Sequence, residues 1–396
     1  MRHATFVLCI FFVAFFVLGP FYSAHAALDW TGNVEPTDPA PPDWTSSTDG
    51  YVGNTADGTL TLGGGYNLDS SRGYIGFGET INGTVTVNGT GSTWMNDGNL
   101  FIGRSGFGML NIEAGGQVCS NYSCLGIRAG STGTATVTGD GSTWANSMEF
   151  TVGDGGSGTL QVKAGGQINN KDGFLGRVAN STGNATVTGV FSTWTNNRNL
   201  YVGVNGSGTL HIEDGGLVSV NGSLTIDENG GNDSFINMAA GGMLALFGNA
   251  AGSINDYLDR VSGTDAIRYW DEATSDWAPI TSATPGTDYT LTYVNDTGSE
   301  LYQYNILTVL TETDSGDANW DGMVNELDAA VLAANWGKAG GWSNGDFNHD
   351  GRVNAADASI LAANWGQGTE GLTTVPEPTG LAMLLVLALG TLRSRW

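Results

Sequence analysis

Lysine occurs three times in 396 residues, at Lys163, Lys171 and Lys338, and only 13% of the chain is charged, about half the ~25% of an ordinary domain. So few lysines leave little material for lysine-based catalysis. The scarcity of charged helix formers excludes a coiled coil, and the absence of a basic face excludes a nucleic-acid binder. What charge exists is of one sign. All 39 carboxylates lie between Asp29 and Glu377 beside 11 bases, a body charge of about −28, and such a field repels phosphate and attracts divalent cations. Cysteine is scarce, and neither of the two apolar runs reaches the ~20 residues that span a membrane. In their place stand 62 glycines, roughly 16% of the chain against ~7% in ordinary proteins, with Ser, Thr and Asn filling much of the rest. An apolar content of 40% is enough for a core, and the length suits two or more domains.

The two ends read as addresses. Arg2 and His3 precede an apolar run over residues 6–18 and then Ala24-His25-Ala26. A short basic region, a short apolar stretch and small residues two apart make a secretory signal peptide over 1–26. Cys9, inside that run, has no assigned role. At the other end come Pro376-Glu377-Pro378, an apolar stretch over 381–392, and Arg393 and Arg395. A helix of that length reaches only ~18 Å, short of a ~30 Å hydrocarbon core, and the basic residues stay on the cytoplasmic side. The segment 369–396 resembles the PEP-CTERM sorting signal of Gram-negative bacteria. That resemblance implies recognition by an exosortase-type membrane enzyme and delivery to the cell surface or extracellular matrix, with the C-terminal membrane segment transient or anchoring.

The middle is periodic. Gly58, Gly83, Gly108, Gly133, Gly158, Gly183 and Gly208 recur at one constant spacing, each opening an alternating pentamer such as Thr84-Val85-Thr86-Val87. Alternation at period two turns one side of each strand inward, stacking Leu60, Val85, Leu110, Ala135, Leu160, Ala185 and Leu210 beside Leu62, Val87, Ile112, Val137, Val162, Val187 and Ile212. A third column at the same spacing reads Thr93, Val118, Thr143, Ile168, Thr193, Val218. A second strand in each unit ends in Gly, as at Ile102-Gly103 and Leu125-Gly126. Units that cannot bury their own apolar face must be covered by neighbours. The expected fold is mainly β, a parallel β-solenoid of about 25 residues per coil over 57–248, with an N-terminal linker or cap over 27–56. Around Ile236 the pattern returns one residue late, which predicts a small insertion in the eighth coil.

The units alternate. Gly91-Ser92-Thr93-Trp94, Gly141-Ser142-Thr143-Trp144 and Phe191-Ser192-Thr193-Trp194 mark one type; Gly115-Gly116, Gly165-Gly166 and Gly215-Gly216 mark the other. Trp94, Trp144 and Trp194 have two readings, a row of corner residues or a platform on which glycan rings stack. The repeats resemble the passenger repeats of autotransporter adhesins, which implies architecture rather than activity. Catalysis on such a rod needs two carboxylates ~5–10 Å apart. The aligned outer slot Glu113, Thr138, Lys163, Thr188, Glu213 separates its acids by four coils, His211 stands alone, and Asp140, Glu149 and Asp154 are the best remaining cluster. Cys119 and Cys124 form either a local disulfide or two reduced thiols near one corner. Residues 249–312 break the period with Tyr257, Tyr269, Trp270, Trp277, Tyr289, Tyr293, Tyr302 and Tyr304, and read as a mixed cap or as aromatics that bind sugar.

The sharpest chemistry follows. Asp317, Asn319, Asp321, Met323, Asn325 and Asp328 occupy positions 1, 3, 5, 7, 9 and 12 of a loop, and Asp346, Asn348, Asp350, Arg352, Asn354 and Asp357 occupy the same positions of a second one. Ca²⁺ takes six to eight hard oxygens, and this spacing wraps them round one ion, with Gly at position 6 for the sharp turn. Met323 and Arg352 supply backbone carbonyls. Each loop leads into an Ala-rich helix, over 329–336 and 358–365. Position 12 is Asp and each loop has one helix, so residues 313–368 resemble a type I dockerin, a small α-helical module. The resemblance implies two Ca²⁺ ions, calcium-dependent folding and docking onto a cohesin-like partner. The slots after position 9, often Ser-Thr in that family, hold Glu326-Leu327 and Ala355-Ala356. Together these features predict an exported, surface-sorted, non-catalytic structural or adhesive rod with a calcium-dependent docking module. The alternative is a carbohydrate-active β-helix protein that binds or cleaves extracellular polysaccharide.

Overall fold

The computed structural model describes residues 28–38, 40–230, 233–263, 266–271, 274–310, 316–319, 323–338, 344–347 and 352–366. The N-terminal signal and Pro376, Glu377 and Pro378 lie outside the described residues. The chain divides into two compact units, Met1–Val309 and Leu310–Trp396.

The first unit is a parallel β-solenoid of about eight turns with about 25 residues per turn. Among the described residues three sheets run its length, sheet 1 with 11 strands and sheets 2 and 3 with 10 each. One coil shows the plan: Thr132–Thr138 in sheet 1, Thr143–Asn146 in sheet 2 and Glu149–Val152 in sheet 3. Sheet 1 keeps the constant register of the sequence, pairing Gly83 with Gly108, Gly108 with Gly133 and Gly133 with Gly158. Glycine is required there because a Cβ at Gly133 would overlap the Ile102 carbonyl oxygen and the Gly126 nitrogen. The apolar columns of sheet 1 are fully buried, and each coil covers the open apolar end of the one before. The eighth coil carries the inserted residue, since Leu210 pairs with Ile236.

Sheet 2 departs from the strict period. Its inward column is Leu68, Trp94, Val118, Trp144, Ile168, Trp194, Val218 and Leu244. Successive steps along it are alternately one residue longer and one residue shorter than the period of sheet 1. Thr93 and Thr143 therefore face outward and the indoles inward. All three indoles are fully buried, so Trp94, Trp144 and Trp194 are core residues and cannot serve as a glycan platform. Their bulk alternates with aliphatic side chains along the stack, which is the physical origin of the two-coil repeat. Gly73 and Gly173 make room for the indoles of Trp94 and Trp194, whose Cζ2 atoms a Cβ would meet at 2.7 and 3.2 Å. Ser92, Ser142 and Ser192 staple the corners by accepting from the Gly65, Gly115 and Gly165 nitrogens at 3.0, 3.0 and 3.1 Å.

Antiparallel strands close both ends. Leu28–Gly32 pairs with Gly58–Leu62, and Val34–Glu35 with Asp49–Val52. At the far end Asp276–Pro279 pairs with Ile267–Asp271, and Tyr304–Val309 with Met243–Phe247. Helix α1 (Ile254–Leu258) brings Tyr257, whose hydroxyl donates to the Leu244 carbonyl at 2.7 Å. Tyr257, Tyr269, Tyr289 and Tyr304 are buried, whereas Trp270, Trp277, Tyr293 and Tyr302 are half-exposed.

The second unit is built from helices α2 (Glu326–Asn335) and α3 (Ala355–Ala363) around a core of Ala318, Val324, Ala329, Leu332, Phe347, Val353 and Leu361. The two repeats clasp each other. The Gly337 nitrogen donates to the Val353 carbonyl at 2.8 Å, and the Gly366 nitrogen to the Val324 carbonyl at 2.8 Å.

Candidate calcium-binding site

Each loop–helix repeat places a carboxylate at either end of its loop. Asp317 and Asp328 of the first and Asp346 and Asp357 of the second are buried, none more than 2% exposed. Four carboxylates taken out of water beside a core of apolar side chains are costly unless a cation or hydrogen bonds compensate. The position-12 carboxylates are partly compensated by the backbone. Asp328 Oδ1 accepts from the Ala318 and Asn319 nitrogens at 2.8 and 3.2 Å, and its Oδ2 from the Asn325 nitrogen at 2.8 Å. Asp357 Oδ2 accepts from the Asn354 nitrogen at 2.8 Å. One side chain thus ties loop positions 2, 3 and 9 together, and an ionised carboxylate has about four acceptor sites, so Asp328 retains capacity toward a cation.

Asn325 and Asn354 close the loops by capping the helices. Asn325 Oδ1 accepts from the Leu327 nitrogen at 2.7 Å and Asn354 Oδ1 from the Ala356 nitrogen at 2.8 Å. Both caps are reciprocal boxes with the position-12 Asp, satisfying donors that a helix start otherwise leaves bare. The helices therefore begin at position 10 of each loop, three residues earlier than the sequence pattern suggests. The Asn-x-x-Asp spacing carries that signal. Asn319 and Met323 belong to the described part of the first loop and Arg352 to that of the second. Asp321, Asn348 and Asp350 lie outside the described residues. Among the described residues no three His, Cys, Asp or Glu side chains converge on one point; the third carboxylate of each loop, Asp321 or Asp350, is not among them. The donor set present, buried carboxylates fixed by backbone N–H groups, suits a hard divalent cation.

The remaining candidates separate. Cys119 and Cys124 are both buried reduced thiols, on neighbouring strands of sheets 2 and 3; burial pushes the Cys124 thiol pKa upward. Glu149 and Asp154 meet at Arg177, which lies 3.3 Å from Glu149 Oε2 and 3.9 Å from Asp154 Oδ1. The Tyr122 hydroxyl is 3.3 Å from the same guanidinium. Asp140 is not part of this group. It lies at the corner between sheets 1 and 2, against Gly165, while Asp154 follows sheet 3. Burial raises the Asp154 pKa and Arg177 opposes the rise. Sequence reasoning missed this network because Arg177 comes from the next coil. It also missed that His211 touches the Trp277 ring, with centroids 5.9 Å apart. Glu113, Thr138, Lys163, Thr188 and Glu213 do form one column in register, four coils from end to end.

Among the described residues no helix is long and apolar enough to cross a membrane. No curated protein and no solved structure matches the chain. Dockerin type I domains bind calcium, typically dock onto cohesin partners, and occur in extracellular or cell-surface proteins. Residues 315–365 match the family model of the dockerin type I domain.

Proposed function

We propose that this protein is exported, sorted to the cell surface through its C-terminal Pro376-Glu377-Pro378 signal by an exosortase-type enzyme, and works there as a non-catalytic rod. Its dockerin domain, loaded with two calcium ions, holds the rod to a cohesin-like partner. The observation that carries the reading is the doubled loop–helix with Asp317, Asp328, Asp346 and Asp357 all buried. Two ions would be held by Asp317, Asn319, Asp321, the Met323 carbonyl, Asn325 and Asp328, and by Asp346, Asn348, Asp350, the Arg352 carbonyl, Asn354 and Asp357. When bound, each ion neutralises the carboxylates that the core surrounds. The exposed slots Glu326-Leu327 and Ala355-Ala356 offer a partner one acid, one leucine and two methyl groups in place of paired hydroxyls. The non-catalytic part of the reading rests on sparse ionisable groups and on the ion pairs that engage Glu149 and Asp154 with Arg177.

Surface plasmon resonance of the full chain over immobilised cohesin domains tests the docking. Binding in millimolar calcium that chelator abolishes is the expected result. Calcium-independent binding, or none to any cohesin, overturns the docking role.

A further inference from the structure

We propose that the outermost strand of sheet 2, Tyr289–Tyr293, docks a second copy of this chain, strand against antiparallel strand, and forms a two-fold symmetric dimer. This surface belongs to the first unit and does not rest on the docking reading.

Each sheet ends in two strands that have a neighbour on one side only. Such edges are templates for further pairing, and folds blunt them with charge, proline, glycine or brevity. Among the described residues all but one are blunted. Leu28–Gly32 and Asn67–Ser70 carry Asp29 and Asp69, and Asp276–Pro279 carries an acid and a proline. Val34–Glu35 is two residues long, and Val261–Gly263 is three residues long and ends in glycine. Tyr289–Tyr293 is five residues long and holds no charge, proline or glycine. Its tyrosines and threonines are residue types that favour an extended, pleated strand.

On its paired side the strand runs antiparallel to Tyr304–Val309. Alternate residues of an antiparallel strand turn their amide groups to opposite sides. The Val294 nitrogen donates to the Tyr304 carbonyl at 2.9 Å, toward that neighbour, whereas the Tyr289 carbonyl accepts from the Gly286 nitrogen at 2.8 Å on the far side. The N–H and C=O groups of Leu291 and Tyr293 therefore point away from the sheet, and among the described residues no strand stands beside them. The preceding turn touches the far side only at Tyr289, through that bond and the Pro285–Tyr289 bridge, so an added strand pairs over Leu291–Tyr293. Set antiparallel about a two-fold axis at Thr292, a second copy exchanges both N–H and C=O bonds between Leu291 of one chain and Tyr293 of the other. The side chains match as well. Thr292 is exposed, whereas Leu291 and Tyr293 are half-buried, and Leu291 stands opposite the fully buried Leu307, on the core face. The axis sets threonine against threonine outside and leucine against tyrosine inside, pairs that support a sheet. An uncharged segment selects no oppositely charged partner; what it fits is its own sequence. The two-fold closes the contact, so the product is a dimer and not a filament.

Sedimentation velocity of the full chain in excess calcium, read across a concentration series, tests the dimer. A monomer–dimer equilibrium with a dissociation constant of about 10–100 µM is expected at ~150 mM salt, as suits a small interface. Each body carries about −28, so the dimer should weaken at ~10 mM salt, where the Debye length reaches ~30 Å. Thr292→Lys and Thr292→Glu each set like charges across the axis and should weaken dimerisation at least about fivefold. Mixed in equal amounts, the two variants should form a heterodimer at least as tight as the wild-type dimer. Thr292 is exposed, so both variants should keep the parent melting temperature. The proposal fails if the wild type stays monomeric at about 300 µM in ~500 mM salt, or if it grows into open oligomers. It fails equally if Thr292→Lys dimerises as the wild type does, or if mixing the two variants does not restore the dimer.

Discussion

Replacing Trp194 and Trp144 by phenylalanine, one at a time, should give unequal losses of stability from chemically identical changes. Both indoles are fully buried in the same column, and each substitution removes the same atoms, so the cavity cost largely cancels between them. The hydrogen bonds do not cancel. Trp194 Nε1 donates to Asn170 Oδ1 at 2.6 Å, and Asn170 is fully buried; Trp194→Phe strands that carbonyl at a cost of about 1–3 kcal/mol. Trp144 Nε1 is buried with no acceptor, because Ser120 and Ser123 turn their hydroxyls to Asn146 Oδ1 at 2.7 and 2.5 Å. Trp144→Phe deletes that unmet donor and regains about as much. The two variants should differ by about 2–6 kcal/mol. At about 2–4 °C per kcal/mol for a unit of this size, Trp194→Phe should melt about 4–24 °C below Trp144→Phe. Differential scanning calorimetry of the full chain in excess calcium reads the difference directly, with both variants scanned at one rate since repeat arrays need not unfold in two states. Equal melting temperatures, or a lower one for Trp144→Phe, would refute the internal hydrogen-bond ladder.

Further substitutions probe the corners, the module and the N-terminal end. Phe191 holds a left-handed φ of 65° where Gly91 and Gly141 stand in the equivalent corners, and it is 73% exposed; Phe191→Gly should gain about 1 kcal/mol and raise the melting temperature. Gly133→Ala drives a Cβ into the Ile102 carbonyl and should cost about 1–3 kcal/mol by overpacking, whereas Gly130→Ala, with φ +82° and open space around it, should show only the backbone strain. Asp328→Ala removes a proposed calcium ligand and three hydrogen bonds from backbone nitrogens together, so circular dichroism should show no calcium-induced helix gain, while the exposed Glu326→Gln should respond normally. The Asn33 and Asn54 side chains donate to Glu35 and lower its pKa below the usual 4.5. Its contribution is present above that pH and is lost as pH falls through the lowered value. The protection factors of the amides of residues 28–35, corrected for the intrinsic exchange rate at each pH, should therefore fall in acid, and Glu35→Gln should flatten that dependence.

The coil was legible where the chain keeps a constant length per turn. Sheet 1 holds one period without exception from Gly58 to Gly208, so Leu60, Val85 and their successors could be stacked by counting. Sheet 2 could not, because the corners before it alternate in length. Val118 follows Trp94 one residue early and precedes Trp144 by one residue more than the period. A slip of one residue reverses a strand's faces, and it turned the three indoles from apparent surface residues into core. The two loop–helix repeats were legible because their Asp and Asn residues recur at one spacing, but the helix starts were not, since Asn325 and Asn354 serve as loop residues and caps at once. The His211–Trp277 contact depends on an antiparallel return strand that no repeat announces.

The most direct test of the account is a calorimetric titration of Ca²⁺ into the metal-free full chain, with circular dichroism followed in parallel. Saturable binding of two ions per chain with a gain of helix is the predicted result. No binding at millimolar Ca²⁺, or binding that leaves the helices unchanged, would contradict the reading of residues 315–365 as a working calcium-dependent docking domain.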